Sequence, residues 1–201
     1  MKITAIVGTY RKGGITDTAV DEILGSAKEA GAEVSKIYLL DKHIEFCTNC
    51  RACTQKQGEA RGECPISDDM NGILDEIERS DSIVLASPMN DYTVTALMKI
   101  FVERLIPYAY WPWEGHAPVL RNKLKNKRAA VVSASAAPAI FAPFSSNVVY
   151  LLKMSAETLG ARTIGVLFMG LAAQKPKQEL NPRHRKQARL LGKKLAAIRN
   201  N

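Results

Sequence analysis

The four cysteines of the chain all lie in one short segment, with the spacing C-x2-C-x2-C-x10-C, at Cys47, Cys50, Cys53 and Cys64. Thiols grouped in this way are typical of a metal or redox centre. A closely spaced triplet suits a [4Fe–4S] cluster, whereas zinc ligands usually come as separated pairs. We therefore predict that these cysteines ligate one cluster, with residues 54–63 as a flexible connection to the last ligand.

Three other interpretations of the cysteines stay open at this point. The thiols could form a dithiol or disulfide redox pair, bind zinc, or form a loop that holds no metal. A structural disulfide framework is disfavoured, because disulfides are rare in the cytoplasmic location that we expect for this chain.

A second segment with binding chemistry runs from Thr9 to Thr18 and follows the first apolar run of the chain. A glycine- and hydroxyl-rich turn before a helix points backbone N–H groups and the positive helix end at one place, which favours an anion. The candidate binding residues of this segment are Thr9, Arg11, Gly13, Ile15, Thr16, Asp17 and Thr18.

The same segment lacks the patterns of two common nucleotide sites. The dinucleotide fingerprint G-x-G-x-x-G is absent, and Gly14 and Ile15 stand where a triphosphate loop has Lys and Ser/Thr. The pattern therefore predicts the single phosphate of a mononucleotide, and a solvated turn is the alternative.

Five short apolar runs, separated by amphipathic helical patterns, are predicted to be strands: residues 3–7, 34–39, 83–86, 129–132 and 163–168. This alternation predicts an α/β fold, with a five-stranded parallel sheet covered by helices on both faces. We expect Thr16 or Asp17 to cap the first helix, Gly31 to end it, and Ser67 to cap the second.

Three loops are expected to meet at the carboxyl edge of this sheet, where ligands bind in such folds. They are residues 9–15, 87–93 and 133–144. The candidate residues in the second and third are Ser87, Pro88, Met89, Asn90, Asp91, Tyr92, Ser133, Ala134, Ser135 and Ala136. The small residues of the third loop would let a flat ring lie against its backbone.

The net charge of +8 arises at one end of a chain of 201 residues that we expect to form a single domain. Nine of the 28 basic residues but one of the 20 acidic residues fall in 175–201, which leaves 19 of each sign in 1–174. We predict a docked basic helix over 175–201. Aromatic residues that could stack on bases are missing there, so nucleic acid is not an expected partner, whereas an acidic redox protein is a candidate.

No apolar run or leader pattern indicates a membrane, and a cytoplasmic location is expected.

Three segments together are similar to motifs of the flavodoxin-like NAD(P)H-dependent FMN reductases. Residues 8–17 resemble the phosphate loop of that family, and residues 87–90 and 97–104 resemble its Ser-Pro turn and the following helix. The cysteines before residues 68–70 resemble those of its iron–sulfur flavoprotein branch. The resemblance covers residues 1 to about 170 and implies a flavodoxin-like, doubly wound sheet.

This resemblance also implies a cofactor and its contacts. The FMN phosphate would bind Thr9, Arg11, Thr16 and the backbone of Ile15, and the flavin ring would lie against residues 88–92 and the loop after Ser133. Two residues depart from the family pattern: Ile15 replaces an Asn, and Asn90 replaces an aromatic residue. Tyr92, Trp111 and Trp113 are candidates to stack on the ring instead.

The function expected from these observations is hydride transfer from NAD(P)H to FMN and onward transfer of electrons, with a [4Fe–4S] cluster as a possible relay. Alternatives are an electron carrier reduced by a partner protein and a dithiol redox sensor.

The aromatic segment from Pro107 to Leu120 is expected to be a lid or a subunit contact, in a homodimer or homotetramer. The three histidines are not expected to be catalytic.

Overall fold

A computed structural model of the chain describes residues 1–121, 123–141, 146–175 and 177–197. Its strands, in chain order, are β1 (Lys2–Val7), β2 (Glu33–Tyr38), β3 (Ser82–Ala86), β4 (Ala109–Tyr110), β5 (Val119–Leu120), β6 (Lys127–Ala134) and β7 (Ala161–Met169). Five of them form one parallel sheet in the order β2-β1-β3-β6-β7. This is the order of flavodoxin-like folds, in which the strand sequence reverses between β1 and β3.

Helices cover both faces of the sheet. In chain order they are α1 (Ile15–Glu29), α2 (Met70–Glu78), α3 (Ala96–Glu103), α4 (Val148–Thr158) and α5 (Pro182–Ala196). Side chains of α1 and α5 share one buried cluster with one face of the sheet, and those of α2, α3 and α4 share the other. The predicted α/β fold is therefore confirmed. Among the helices in the described parts of the chain, none combines the length and the apolar character needed to cross a membrane.

Four of the five sheet strands are slightly longer than the apolar runs that predicted them, because residues at the strand ends, many of them polar, also pair. The remaining strand, β2, has the predicted length but begins and ends one residue earlier. In addition, β4 and β5 form a short antiparallel pair that was not predicted, within the aromatic segment. The predicted helix over 175–201 was too long: α5 starts at Pro182, where the Asn181 side chain accepts a hydrogen bond from the His184 N–H at 2.8 Å. Residues 198–201 of the predicted helix lie outside the described residues.

The predicted end of α1 is confirmed, but its predicted start was wrong. Gly31 has a φ of +86°, and its N–H and that of Ala32 donate to Lys28 and Ala27, which is a Schellman ending. The residue before the first helical turn is Gly14, so Thr16 and Asp17 already lie within that turn and cannot cap it.

The predicted cap of the second helix was also wrong. Asp69 is the residue that precedes α2, and Asp68, not Ser67, accepts a hydrogen bond from the first helical N–H, that of Met70, at 3.0 Å. Asp69 instead accepts one from the His43 N–H at 2.9 Å.

Close contact between α1 and α5 depends on a glycine in α5. A Cβ atom at Gly192 would lie 2.1 Å from the carbonyl oxygen of Ile23, which is backbone and cannot move aside. We expect Gly192→Ala to destabilise the chain by about 1–3 kcal/mol through overpacking. The matched control is Gly25→Ala, because Gly25 is an exposed α1 position with nothing within 4 Å of an added Cβ. Urea unfolding should show that the control is unchanged or more stable by about 0.5–1 kcal/mol. Equal effects of the two substitutions would contradict the close helix contact.

Candidate functional site

Backbone hydrogen bonds place the three predicted loops side by side at the carboxyl edge of the sheet. The Gly8 N–H donates to Ala86 at 2.8 Å, the Met89 N–H donates to Ala134 at 2.8 Å, and the Ser135 N–H donates to Met169 at 2.9 Å. Each bond ties the start of one loop to the end of a neighbouring strand. The edge next to the β1–β3 reversal is therefore lined by all three.

The first loop presents open backbone donors at the start of α1. Gly13 has a φ of +72°, and Gly14 precedes the helix with an extended backbone and no side-chain cap. The N–H groups of Ile15, Thr16 and Asp17 lie in the first turn, where the helix itself supplies no acceptor. Together with the helix dipole, these donors form a site suited to an anion.

The side chain of Asp17 holds this loop in place through hydrogen bonds and an ion pair. Its buried carboxylate accepts hydrogen bonds from the Gly13 N–H at 2.7 Å and the Tyr38 hydroxyl at 3.1 Å, and it pairs with the Lys36 ammonium at 2.5 Å. Burial disfavours the charged form of Lys36, but hydrogen bonds to Asp17, Asp21 and Tyr38 outweigh it and raise the pKa of that ammonium. The negative charge of Asp17 is thus neutralised beside a loop whose donors favour an anion.

Polar side chains build the second loop. The Ser87 hydroxyl is buried and accepts a hydrogen bond from the Thr95 N–H at 3.1 Å, and the Thr95 hydroxyl donates to the Gly8 carbonyl at 2.5 Å. Beyond Ser87 the chain turns sharply: Asp91 and Tyr92 have φ values of 43° and 64°. Such values are uncommon and costly for residues other than glycine, and strained residues of this kind cluster at binding and active sites. The Tyr92 side chain is 67% exposed.

The third loop begins later than predicted, because Ser133 and Ala134 are still part of β6. Ser133 is completely buried, and its hydroxyl has no hydrogen-bond partner among the described residues. The Ser135 hydroxyl donates to the Ala137 carbonyl at 2.8 Å. Residues 142–145 of the predicted loop lie outside the described residues.

The four thiols line a single small cavity. Arg51, Arg104 and Pro107 also line it, and the cavity encloses about 20 Å³. Cys53 is buried, Cys50 is exposed, and the other two thiols are half-buried. Among the described residues, no three side chains of His, Cys, Asp or Glu converge closely enough to hold one metal ion. The thiols therefore share a cavity without forming a single-ion site.

The aromatic segment that contains β4 and β5 packs against the cysteine segment. The guanidinium of Arg51 lies 3.8 Å from the ring centre of Trp111 and 4.6 Å from that of Trp113, and it donates to the Trp111 and Pro112 carbonyls at 2.8 and 2.7 Å. Arg121 donates to the Cys53 carbonyl at 3.0 Å. Sequence reasoning missed this role. The basic residue inside the cysteine triplet was the available signal, because arginine stacks well on tryptophan.

The thiols of Cys50 and Cys53 differ in pKa because their surroundings differ. Hydrogen bonds from the Ala52 N–H and the Thr48 side chain lower the pKa of Cys50, whereas burial and neighbouring thiolates raise the pKa of Cys53 to about 11. Because the thiolate is the nucleophile, we expect iodoacetamide to modify Cys50 well before Cys53 in reduced, metal-free protein near pH 7.5. Modification of Cys53 should accelerate only as the pH approaches 11. Peptide mass spectrometry over time measures both rates, and equal rates at pH 7.5 would contradict the assigned environments.

Comparison with known proteins identifies the family. The family model described as NADPH-dependent FMN reductase matches residues 1–176. An iron–sulfur flavoprotein of Archaeoglobus fulgidus is 38% identical over 123 residues, which are 61% of this chain and 51% of that protein. A second one, from Methanocaldococcus jannaschii, is 36% identical over 107 residues, 53% of each chain. The chain thus spans about half the length of the curated relatives that it matches.

A solved structure agrees with the fold. The NAD(P)H:quinone oxidoreductase of Methanothermobacter marburgensis superposes with a TM-score of 0.71 at 14% sequence identity, over 100% of this chain and 98% of that one. The resemblance inferred from the phosphate-loop and cysteine motifs, to the family and to its iron–sulfur flavoprotein branch, is confirmed. The chain belongs to the NADPH-dependent FMN reductase family.

Proposed function

We propose that this chain is an FMN-dependent oxidoreductase that takes hydride from NAD(P)H and passes electrons to an acceptor through a [4Fe–4S] cluster. The observation that carries the proposal is the presence of two sites in one chain: an edge of open backbone donors suited to a phosphate, and a cavity lined by four thiols. Bound FMN can accept two electrons together and release them one at a time. The protein orients this cofactor and tunes its electronic properties.

The residues at the sheet edge fit FMN. The first-turn N–H groups of α1 with Thr9, Arg11 and Thr16 would hold its phosphate, and Gly13, Asp17 and Thr18 would keep the loop in shape. The flavin ring would lie against residues 88–92 and 133–136. The unpartnered, buried hydroxyl of Ser133 is a polar group at that edge whose hydrogen bonding the described residues leave unsatisfied.

The cysteine cavity fits an iron–sulfur cluster in its donors and in its charge. All four thiols face one space, and Arg51 and Arg104 line the same space, where their charge would offset that of a thiolate-bound cluster. Ligands of one ion must lie closer together than ligands of a cluster, so zinc is the weaker proposal here.

The outer face of α5 is a candidate surface for an acidic redox partner. Arg185 and Arg189 pair with Glu22 and Glu29 of α1. Four other cations of α5 form no ion pair within the described parts of the chain: Arg183, Lys186, Lys193 and Lys194. Unpaired cations on one face attract a negatively charged protein. A homodimer or homotetramer remains a prediction.

An anaerobic absorbance experiment tests the proposed function. Protein purified without oxygen should show both flavin bands and a broad iron–sulfur absorbance, and NADPH or NADH alone should bleach the flavin. Bleaching only after a reduced partner protein is added would instead support an electron carrier without its own nicotinamide site. A preparation that takes up no FMN would overturn the proposal, and one with FMN but no iron would overturn the cluster alone.

A dithiol sensor is distinguished by alkylation. Blocking the thiols of such a sensor would abolish its function and leave FMN binding unchanged. In the proposed enzyme, the same treatment of cluster-free protein should prevent cluster reconstitution while NAD(P)H still bleaches the flavin.

A further inference from the structure

Arg104, the residue directly after α3, is buried beside the cysteine cavity and paired with a buried carboxylate. Its side chain is 1% exposed and that of Asp68 is 0% exposed. The pair is bidentate: Nη1 donates to Oδ2 at 2.5 Å and Nη2 donates to Oδ1 at 3.2 Å. The carboxylate also accepts hydrogen bonds from the Glu45 N–H at 2.8 Å and the Met70 N–H at 3.0 Å. The positive charge of Arg104, which lines this cavity, is thus held in place by the negative charge of Asp68.

The same guanidinium contacts both ends of the cysteine segment. Nη2 lies 3.6 Å from the sulfur of Cys64, within hydrogen-bonding range for sulfur, and Nη1 donates to the Glu45 carbonyl at 2.7 Å. Glu45 is two residues before the first cysteine, and Cys64 is the last. One side chain therefore joins the start of the segment to its final thiol.

We propose that Arg104 positions Cys64 and tunes the reduction potential of the cluster, with Asp68 setting the opposing charge. The proposal rests on the proposed function, because it requires a cluster in this cavity. Reduction adds one negative charge to the cavity. A nearby positive charge and a hydrogen bond to a ligand sulfur favour that reduced form, and a nearby negative charge opposes it.

A purely structural ion pair makes a different prediction from a tuning pair. Removing either partner of a buried pair leaves an uncompensated charge and costs stability, so a structural role predicts that both changes act alike. A tuning role predicts opposite signs: loss of the positive charge should lower the midpoint potential, and loss of the negative charge should raise it. The sign of the shift therefore separates the two roles.

The test compares Arg104→Met, Asp68→Asn and Arg104→Lys in protein purified anaerobically with its cluster. Potentiometric titration followed by electron paramagnetic resonance of the reduced cluster gives the midpoint potential, and iron, sulfide and FMN contents give the loading. We expect a downward shift for Arg104→Met, an upward shift for Asp68→Asn and a small shift for Arg104→Lys, with FMN content unchanged.

A double variant keeps the proposal testable if the single variants lose the cluster. Arg104→Met with Asp68→Leu replaces the pair by apolar side chains, a change that folded proteins often tolerate. A double variant that binds the cluster at a lower potential than the unchanged chain supports the proposal, because the hydrogen bond to Cys64 is lost. Shifts of the same sign in Arg104→Met and Asp68→Asn, or no shift in any variant, would overturn it. Unchanged protein without iron and sulfide would instead overturn the cluster of the proposed function.

Discussion

A Gly13→Val variant is expected to bind FMN about 10- to 100-fold more weakly than the unchanged chain. Gly13 has a φ of +72°, and its N–H donates to the buried carboxylate of Asp17 at 2.7 Å. A β-branched residue at such a φ is strained by about 1–3 kcal/mol, and about 1.4 kcal/mol corresponds to a tenfold change in affinity. The strain shifts the loop away from the shape that presents the first-turn donors of α1, which lowers the apparent affinity. Titration of the apoprotein with FMN, followed by flavin fluorescence, measures the effect.

The matched control is Gly31→Val, at the opposite end of the same helix. Gly31 has a φ of +86°, so the substitution introduces similar strain into a turn far along α1 from the anion-binding end. An added Cβ meets nothing within 4 Å at either glycine, so the first side-chain atom adds no steric clash at either position. The control should lower stability while leaving FMN affinity within about twofold. Equal loss of affinity in both variants would show that helix stability, not the loop, controls binding, and unchanged affinity in Gly13→Val would contradict the phosphate site.

The strand positions could be predicted from the sequence because each strand of a buried parallel sheet is a nearly continuous apolar run. The runs at residues 83–86 and 129–132 are both completely buried in the structure. The strand ends could not be predicted, because polar residues such as Ser82 and Ser133 pair there through their backbones. Side-chain pattern carries no information about backbone pairing of this kind.

Helix starts were harder to predict because several polar residues compete for the same donors. Ser67, Asp68 and Asp69 all precede α2, and each of them has a side chain that can cap a helix. The structure uses Asp68 because the same carboxylate also binds Arg104, which lies 36 residues further along the chain. The start of α2 therefore depends on a contact between residues far apart in the chain, which the sequence around the helix start does not indicate.

The surroundings of the cysteines were the part of the candidate sites that the sequence could not reveal. Spacing alone grouped the four thiols, and the structure adds Arg51 stacked on two tryptophans and Arg104 at Cys64. Both arginines come from segments whose sequence patterns were interpreted in other ways, a cysteine loop and a helix motif. Charged residues beside a thiol-rich segment are thus better examined as part of the site than as surface residues.

A Cys53→Ala variant is expected to lose nearly all of its iron and acid-labile sulfide while keeping its FMN. Cys53 is the buried member of the set, and its carbonyl accepts a hydrogen bond from Arg121 at 3.0 Å, which holds the backbone at this position. The substitution removes one small buried group and costs about 1 kcal/mol of stability, too little to unfold a typical domain. Metal analysis and sulfide assay of anaerobically purified protein, with FMN content from the same sample, measure the outcome.

Ser67→Ala is the matched control for this prediction, because Ser67 also lies between β2 and α2, is exposed and is not a thiol. Its iron, sulfide and FMN contents should equal those of the unchanged chain. Zinc in place of iron in the unchanged protein would show that the thiols rearrange around a single ion. Full iron content in Cys53→Ala would remove Cys53 from the ligand set, which would leave the cavity with three thiols and an open coordination position. A loss of FMN together with iron would show that the cysteine segment also supports the FMN site at the carboxyl edge of the sheet.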